Sequence, residues 1–123
     1  LPHPDQFDDT ESFLATSLHE HIHWTGHRTR LDRLDLTASF ASPEYASEEL
    51  VAELGAAIAA ARLGIATHPR DDHAAYLAHW IRLLGEDPKI LFRTAAAAQR
   101  AVDYLDKFAT PGPATDRTLE VAA

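Results

Sequence analysis

Apolar side chains recur along this chain at helical rather than strand spacing. Phe13 and Leu14, then Leu18, then Ile22 fall one turn apart and predict a first amphipathic helix over about residues 9–24. Asp8 and Glu11 are spaced as a capping box at its start, and Gly26 supplies its stop. From 27 to 41 the period is lost: Arg28, Arg30 and Arg33 are interleaved with Leu31, Leu34 and Leu36, which reads as a loop with room for one helical turn. Ser42-Pro43-Glu44 then places an N-cap, a proline at the first helical position and early negative charge in succession. This predicts a second helix running through an alanine-rich stretch to Leu63, closed by Gly64. Ala75, Leu77, Trp80, Ile81 and Leu84 predict a third helix over about residues 71–84, with Gly85 at its end. Asp87-Pro88 opens a fourth that extends toward Phe108, and Pro111-Gly112-Pro113 breaks the chain beyond it. Trp24, Tyr76, Trp80 and Phe92 read as core. The expected fold class is mainly α, about four helices with little or no β-sheet, as one domain over 1–108 followed by a flexible C-terminal tail over 109–123.

Composition narrows the function classes. A chain of 123 residues fits one domain with a real core. Hydrophobic residues at 46% and charged residues at 24% are ordinary for a globular protein, and the abundant alanine favours helix. Eleven basic against nineteen acidic side chains leave a net charge of -8, without the electrostatic footprint of a phosphate-binding surface, so direct nucleic-acid binding is not expected of this segment. The absence of cysteine removes disulfides and thiolate ligands, and any transition metal must be held by His and carboxylate. No stretch approaches the roughly 18 apolar residues of a membrane span, and Leu1-Pro2-His3-Pro4 is no signal peptide. The expectation is a soluble, cytoplasmic protein. With no methionine, the initiator included, the chain reads as part of a longer polypeptide.

The chemistry is concentrated in His19-Glu20-His21-Ile22-His23, an H-E-x-x-H motif on the first predicted helix. Residues four apart stack on one face, about 6 Å apart along the axis at a rise of ~1.5 Å per residue, so His19 and His23 can meet one metal ion. Glu20, beside the first ligand, is placed to act as general base on a metal-bound water. Catalytic zinc typically takes three protein ligands and keeps one position for water, so a third is required. Glu49 and Glu53 share a face of the second helix, which the intervening loop can fold back on the first. Glu49 is then the third ligand, and Glu53 accepts the free ring N–H of a zinc histidine and fixes its tautomer. A competing motif recruits a histidine after a glycine turn. Gly26 falls where that motif wants it, but Thr29 occupies the place of its histidine and His27 comes two residues early, so Glu49 is preferred with His27 as the alternative.

Taken singly, each piece has a blander reading. A histidine pair can be solvated surface, and Glu48, Glu49 and Glu53 can be a charged helix face. The combined pattern favours a metal site, because the motif lies on a predicted helix and a second helix brings the glutamate pair. His21 points away from the ligand face. His68, His73 and His79 have no spacing that demands a metal and read as structural. Tyr45, one turn before Glu49, reads first as packing against the first helix, with donation to an oxyanion as its alternative.

Together, His19-Glu20-His21-Ile22-His23-Trp24-Thr25-Gly26-His27, Arg30-Leu31, Tyr45-Ala46-Ser47-Glu48-Glu49-Leu50-Val51-Ala52-Glu53-Leu54-Gly55, Tyr76-Leu77-Ala78-His79-Trp80-Ile81 and Gln99-Arg100-Ala101 resemble the zincin-like metallopeptidase domain of ArdC-type antirestriction proteins. The resemblance covers about residues 1–107. It implies a gluzincin-type site in which His19, His23 and Glu49 bind Zn2+ and Glu20 is the base. It also implies a setting on conjugative plasmids and other mobile elements, with a domain that binds single-stranded DNA ahead of this one. Zincin folds usually carry a small sheet before the active-site helix, and little precedes Asp8 to form it. Two functions follow as expectations. The first is zinc-dependent hydrolysis of a peptide or protein substrate, and the second a catalytically inactive, zinc-stabilised binding module of an antirestriction or DNA-transfer protein. An open fourth coordination position favours the first, and a fourth protein ligand the second. A metal-free helical bundle is the third and plainest expectation.

Overall fold

The computed structural model describes residues 3–6, 9–34, 42–65 and 74–109, with backbone alone over 74–79. After a 3-10 turn at Pro4–Gln6 come four helices: α1 over Thr10–Thr25, α2 over Pro43–Leu63, α3 over Ala74–Glu86 and α4 over Lys89–Asp106. Among the described residues there is no strand, as expected of a mainly helical chain.

Local chemistry sets most of the boundaries. Asp9 caps α1, its carboxylate accepting the Ser12 N–H at 2.6 Å, one residue later than the capping box expected at Asp8, which lies outside the described residues. Gly26 ends α1, its N–H reaching His23 O at 2.9 Å. The Ser42 hydroxyl accepts the Tyr45 N–H at 3.1 Å, Pro43 is the first residue of α2, and Gly64 closes it in the left-handed region at φ 70. Two expectations for α3 and α4 shift. Gly85 lies inside α3 rather than ending it, because a helical glycine costs only about 1 kcal/mol and buried Leu83 anchors that last turn. Helix α4 begins at Lys89 with Pro88, not Asp87, at the N-cap position and no side-chain cap bond there; the Asp87 carboxylate accepts the Lys89 N–H at 3.0 Å from one residue earlier. The expected helix start at 71–73 and the tail from 110 onward lie outside the described residues.

Helix α2 is the centre of the packing, with α1, α3 and α4 against it and α1 and α3 also touching α4. The core where they meet is built largely from small side chains: Ala52, Ala59, Ala98 and Ala101 with Ile22, Val51 and Val102. Small residues let helix axes approach closely. At Gly55 the approach leaves no room for a side chain, since a Cβ there would lie 2.9 Å from the Ile22 side chain. This contact brings the histidine face of α1 within reach of the glutamates of α2.

The alanine core also corrects the expectation for the large aromatics. Trp24 and Phe92 are 43% and 75% exposed, because helices packed on alanine leave no space between them for bulky rings. The Trp24 ring is instead covered by the Arg30 guanidinium at 3.9 Å and flanked by Tyr104 and Phe108. Trp80 is half-buried and donates its indole N–H to Ala46 O at 2.9 Å. The Tyr76 side chain lies outside the described residues. No described helix is long and apolar enough to cross a membrane.

Candidate metal centre

One helical face of α1 presents two imidazoles to α2. His19 is buried and His23 half-buried, and their Nε2 atoms stand 3.0 Å apart. The Glu49 carboxylate faces both, with Oε2 at 3.4 Å from His19 Nε2 and Oε1 at 3.1 Å from His23 Nε2. Donor atoms bound at ~2.0–2.1 Å in a tetrahedron lie about 3.3 Å from one another. The three separations are close to that edge length, with the Glu49 carboxylate turning one oxygen to each ring. Two imidazole nitrogens and one carboxylate oxygen are also the donor types of a catalytic zinc site, so these residues fit a divalent cation. Among the described residues, His19, His23 and Glu49 form the His, Cys, Asp and Glu group with ligand atoms close enough to share an ion, all within 4.8 Å.

Each outward-facing nitrogen also has a carboxylate beside it. His19 Nδ1 lies 2.7 Å from Glu53 Oε1, the partner expected from the i,i+4 spacing of Glu49 and Glu53. His23 Nδ1 lies 3.0 Å from Glu48 Oε1, a partner that sequence reasoning assigned only to a charged helix face. Glu48 is itself gripped by Arg33, with Nε at 2.7 Å from Oε2 and Nη2 at 2.9 Å from Oε1. Arg33 was one of three loop arginines with nothing in the spacing to separate it from Arg28 or Arg30. Each ring therefore has Nε2 directed to the shared centre and Nδ1 beside a carboxylate; at His23 the hydrogen bond to Glu48 favours the tautomer with its lone pair on Nε2, while His19 Nδ1 is close to Glu53 without hydrogen-bond geometry.

These pairings set the charge states. Burial pulls the His23 pKa down, but hydrogen bonds to Glu48 and Glu49 outweigh it and raise the ring to about 9. His19 is also raised, against its burial, by Glu49 and Glu53. Burial pushes the Glu49 carboxyl up, yet the two imidazoles hold it down at about 2. Glu48 is lowered in the same way by His23 and Arg33.

A cleft of about 750 Å³ opens beside this group, with Glu20, His23, Tyr45 and Glu49 in its wall. Glu20 is exposed, and Tyr45, which lines the same cleft, is half-buried. His27 is not brought to the group: its Nδ1 is engaged by the Thr29 hydroxyl at 2.8 Å and backbone N–H at 3.2 Å. His21 turns its Nδ1 to Ser17 O at 2.6 Å, away from the centre. The side chains of His68, His73 and His79 lie outside the described residues.

Comparison with known proteins agrees with this architecture. The family model described as zincin-like metallopeptidase matches residues 1–98. Two DNA primase TraC proteins from Escherichia coli are 47% and 46% identical over 108 residues, 88% of this chain but 10% and 7% of theirs. The uncharacterized protein y4eC of Sinorhizobium fredii is 39% identical over 80% of this chain and 32% of its own length. The chain thus spans a tenth or less of the TraC primases and about a third of y4eC. Among solved structures, the Mn(II)-bound antirestriction protein ArdC from plasmid R388 superposes with a TM-score of 0.81 at 38% identity, covering 90% of this chain and 41% of ArdC. The helical fold, the close pair of histidine-bearing and glutamate-bearing helices and the match over residues 1–98 place this chain in the zincin-like metallopeptidase family, with the fold of the ArdC domain.

Proposed function

We propose that the chain is the metallopeptidase domain of an antirestriction or DNA-transfer protein, acting in the cytoplasm on a peptide or protein substrate. His19, His23 and Glu49 hold a zinc ion in this reading, and Glu20 is the general base. The observation that supports it most is the convergence of two Nε2 atoms and one carboxylate at 3.0–3.4 Å, beside a cleft that also contains Glu20. A bound zinc ion supplies Lewis acidity, lowering the pKa of water and polarising a peptide carbonyl. Glu20 accepts the proton of the attacking water and passes it to the leaving amine. Glu53 and Glu48 keep the two rings oriented, and Tyr45 donates a hydrogen bond to the developing oxyanion. That the similar ArdC structure is Mn(II)-bound supports a divalent ion in this chain, while imidazole-rich donor sets bind Zn2+ more tightly than Mn2+.

The test is Glu20→Gln. The variant is expected to retain the same zinc content by metal analysis while cleavage of a mixed peptide library falls at least about 100-fold, the lower range for general-base catalysis. Equal cleavage by both proteins would remove Glu20 from the mechanism. A second reading, a metal-stabilised binding module, is favoured by one observation: among the described residues no strand lies beside the cleft to align an extended peptide. It predicts that the unmodified chain binds zinc and cleaves no member of the library.

A further inference from the structure

The segment after α1 turns back on itself. Leu31 N–H donates to Thr25 O at 2.9 Å, and the N–H groups of Arg33 and Leu34 donate to Gly26 O at 2.7 and 2.8 Å. Asp32 takes φ 49 to complete the reversal, a left-handed value that Asp tolerates better than most residues. Arg33 is thereby returned to the end of the helix that carries the histidines. Its guanidinium is used on three sides: Glu48 by Nε and Nη2, Ile22 O by Nη2 at 2.8 Å, and the Thr25 hydroxyl by Nη1 at 3.2 Å.

Gly26 supplies a second, independent observation. Its backbone lies at φ -79 and ψ -7, an ordinary right-handed conformation open to any residue. Stopping the helix therefore does not require glycine here. Space does: a Cβ at position 26 would lie 3.0 Å from Arg33 Nη2, 3.1 Å from its Cζ and 2.9 Å from Leu34 Cγ. The missing side chain is the passage through which the guanidinium reaches Glu48.

We infer that Arg33 is a positioning residue for His23, seated by Gly26 and acting through Glu48 to fix the orientation of the imidazole. The planar fork matches the carboxylate with two parallel N–H groups, so Glu48 cannot rotate and its Oε1 stays 3.0 Å from His23 Nδ1. Ile22 O and Thr25 Oγ1 tie the same guanidinium to α1, so ring, carboxylate and arginine move as one body. Lysine cannot replace it, because a single ammonium lacks the fork. The consequence for metal affinity rests on the proposed zinc site, whereas the consequence for the ring itself does not.

The experiment uses the full chain, with Arg33→Gln, Arg33→Lys and Gly26→Ala as variants. Arg30→Gln serves as a control from the same loop: Arg30 contacts the Trp24 carbonyl at 2.5 Å and the Trp24 ring. Two readouts are taken: zinc affinity by competition with a chromophoric chelator, and water exchange of the His23 Nδ1 proton by 15N-edited NMR in metal-stripped protein at pH 6. Loss of an outer-shell partner of a zinc histidine weakens binding about 10–100-fold, and both Arg33 variants are expected in that range with Arg30→Gln within twofold of the parent. The Nδ1 proton is expected to be protected in the parent and in Arg30→Gln and to exchange rapidly in the Arg33 variants. Gly26→Ala is expected to follow the Arg33 variants although it alters no charge. Unchanged Nδ1 protection in Arg33→Gln overturns the inference. An Arg30→Gln variant that loses as much affinity and protection as Arg33→Gln overturns it too, by tracing the effect to loop stability. If the parent binds no zinc, the metal reading fails and the exchange measurement still decides the role of Arg33.

Discussion

With its ring between Glu48 and Glu49, His23 has a pKa of about 9 in place of its ordinary 6.5, and Glu49 sits at about 2 in place of 4.5. The raised histidine stabilises the metal-stripped fold fully below its unfolded value of 6.5, and this contribution disappears as pH rises through about 9. The lowered glutamate stabilises above 4.5 and loses its contribution as pH falls toward 2. Metal-stripped protein is therefore expected to be most stable between about pH 4.5 and 6.5, with a lower urea midpoint at pH 9.5 than at pH 6. A metal ion competes for the same lone pairs. At neutral pH it must displace the His23 proton, so zinc affinity is expected to climb with pH up to about 9. Calorimetric titration in two buffers of different ionisation enthalpy measures the released proton directly. Affinity that is flat between pH 6.5 and 8.5 would contradict the assigned charge state.

At the scale of elements, the separation of α1 and α2 governs whether these residues meet. Gly55 is the gauge, with Ile22 pressed against the place where its side chain would be. Gly55→Ala is expected to destabilise the chain by about 1–3 kcal/mol through overpacking. Combining it with Ile22→Val, which removes Cδ1, is expected to cost less than the sum of the two single changes in a urea double-mutant cycle. Strict additivity would show that the two residues do not set the spacing. Much at this scale was legible in residues. Ser42-Pro43 and Gly64 bound α2 because capping chemistry is local, and the i,i+4 pairs His19/His23 and Glu49/Glu53 declare a face without knowledge of the fold. Glu48 and Arg33 were not legible. Whether Glu48 turns inward depends on the angle at which α1 crosses α2, and which of three arginines reaches it depends on the path of the 27–34 loop. Trp24 and Phe92 misled for a related reason: hydrophobicity predicts burial only where the packing leaves volume, and an alanine-lined core leaves little.

At the scale of the molecule, the apolar core is modest while two histidines and three glutamates occupy the α1–α2 interface. Much of the hydrophobic driving force scales with buried apolar area, and alanines contribute little of it each. An ion that binds the folded state alone adds RT ln(1 + [M]/Kd), about 2.7 kcal/mol at a hundredfold excess over Kd. For a domain of this size that corresponds to roughly 10 °C in Tm. Chelation is expected to lower Tm by about that amount and zinc to restore it, as followed by circular dichroism at 222 nm. A Tm indifferent to chelator would favour the metal-free bundle.

The cleft has two owners. Glu20, His23 and Glu49 enter it from α1 and α2, while Leu83 of α3 and Ile90, Arg93, Thr94 and Ala97 of α4 line it without belonging to the metal-ligand group. The two ligand-bearing helices, which also supply Tyr45, Ser47 and Val51, thus share the cleft wall with two helices that carry no ligand. Substitutions at Leu83, Ile90 and Arg93, on helices that carry no residue of the metal-ligand group, can change the shape and charge of the cleft without altering His19, His23 or Glu49 themselves.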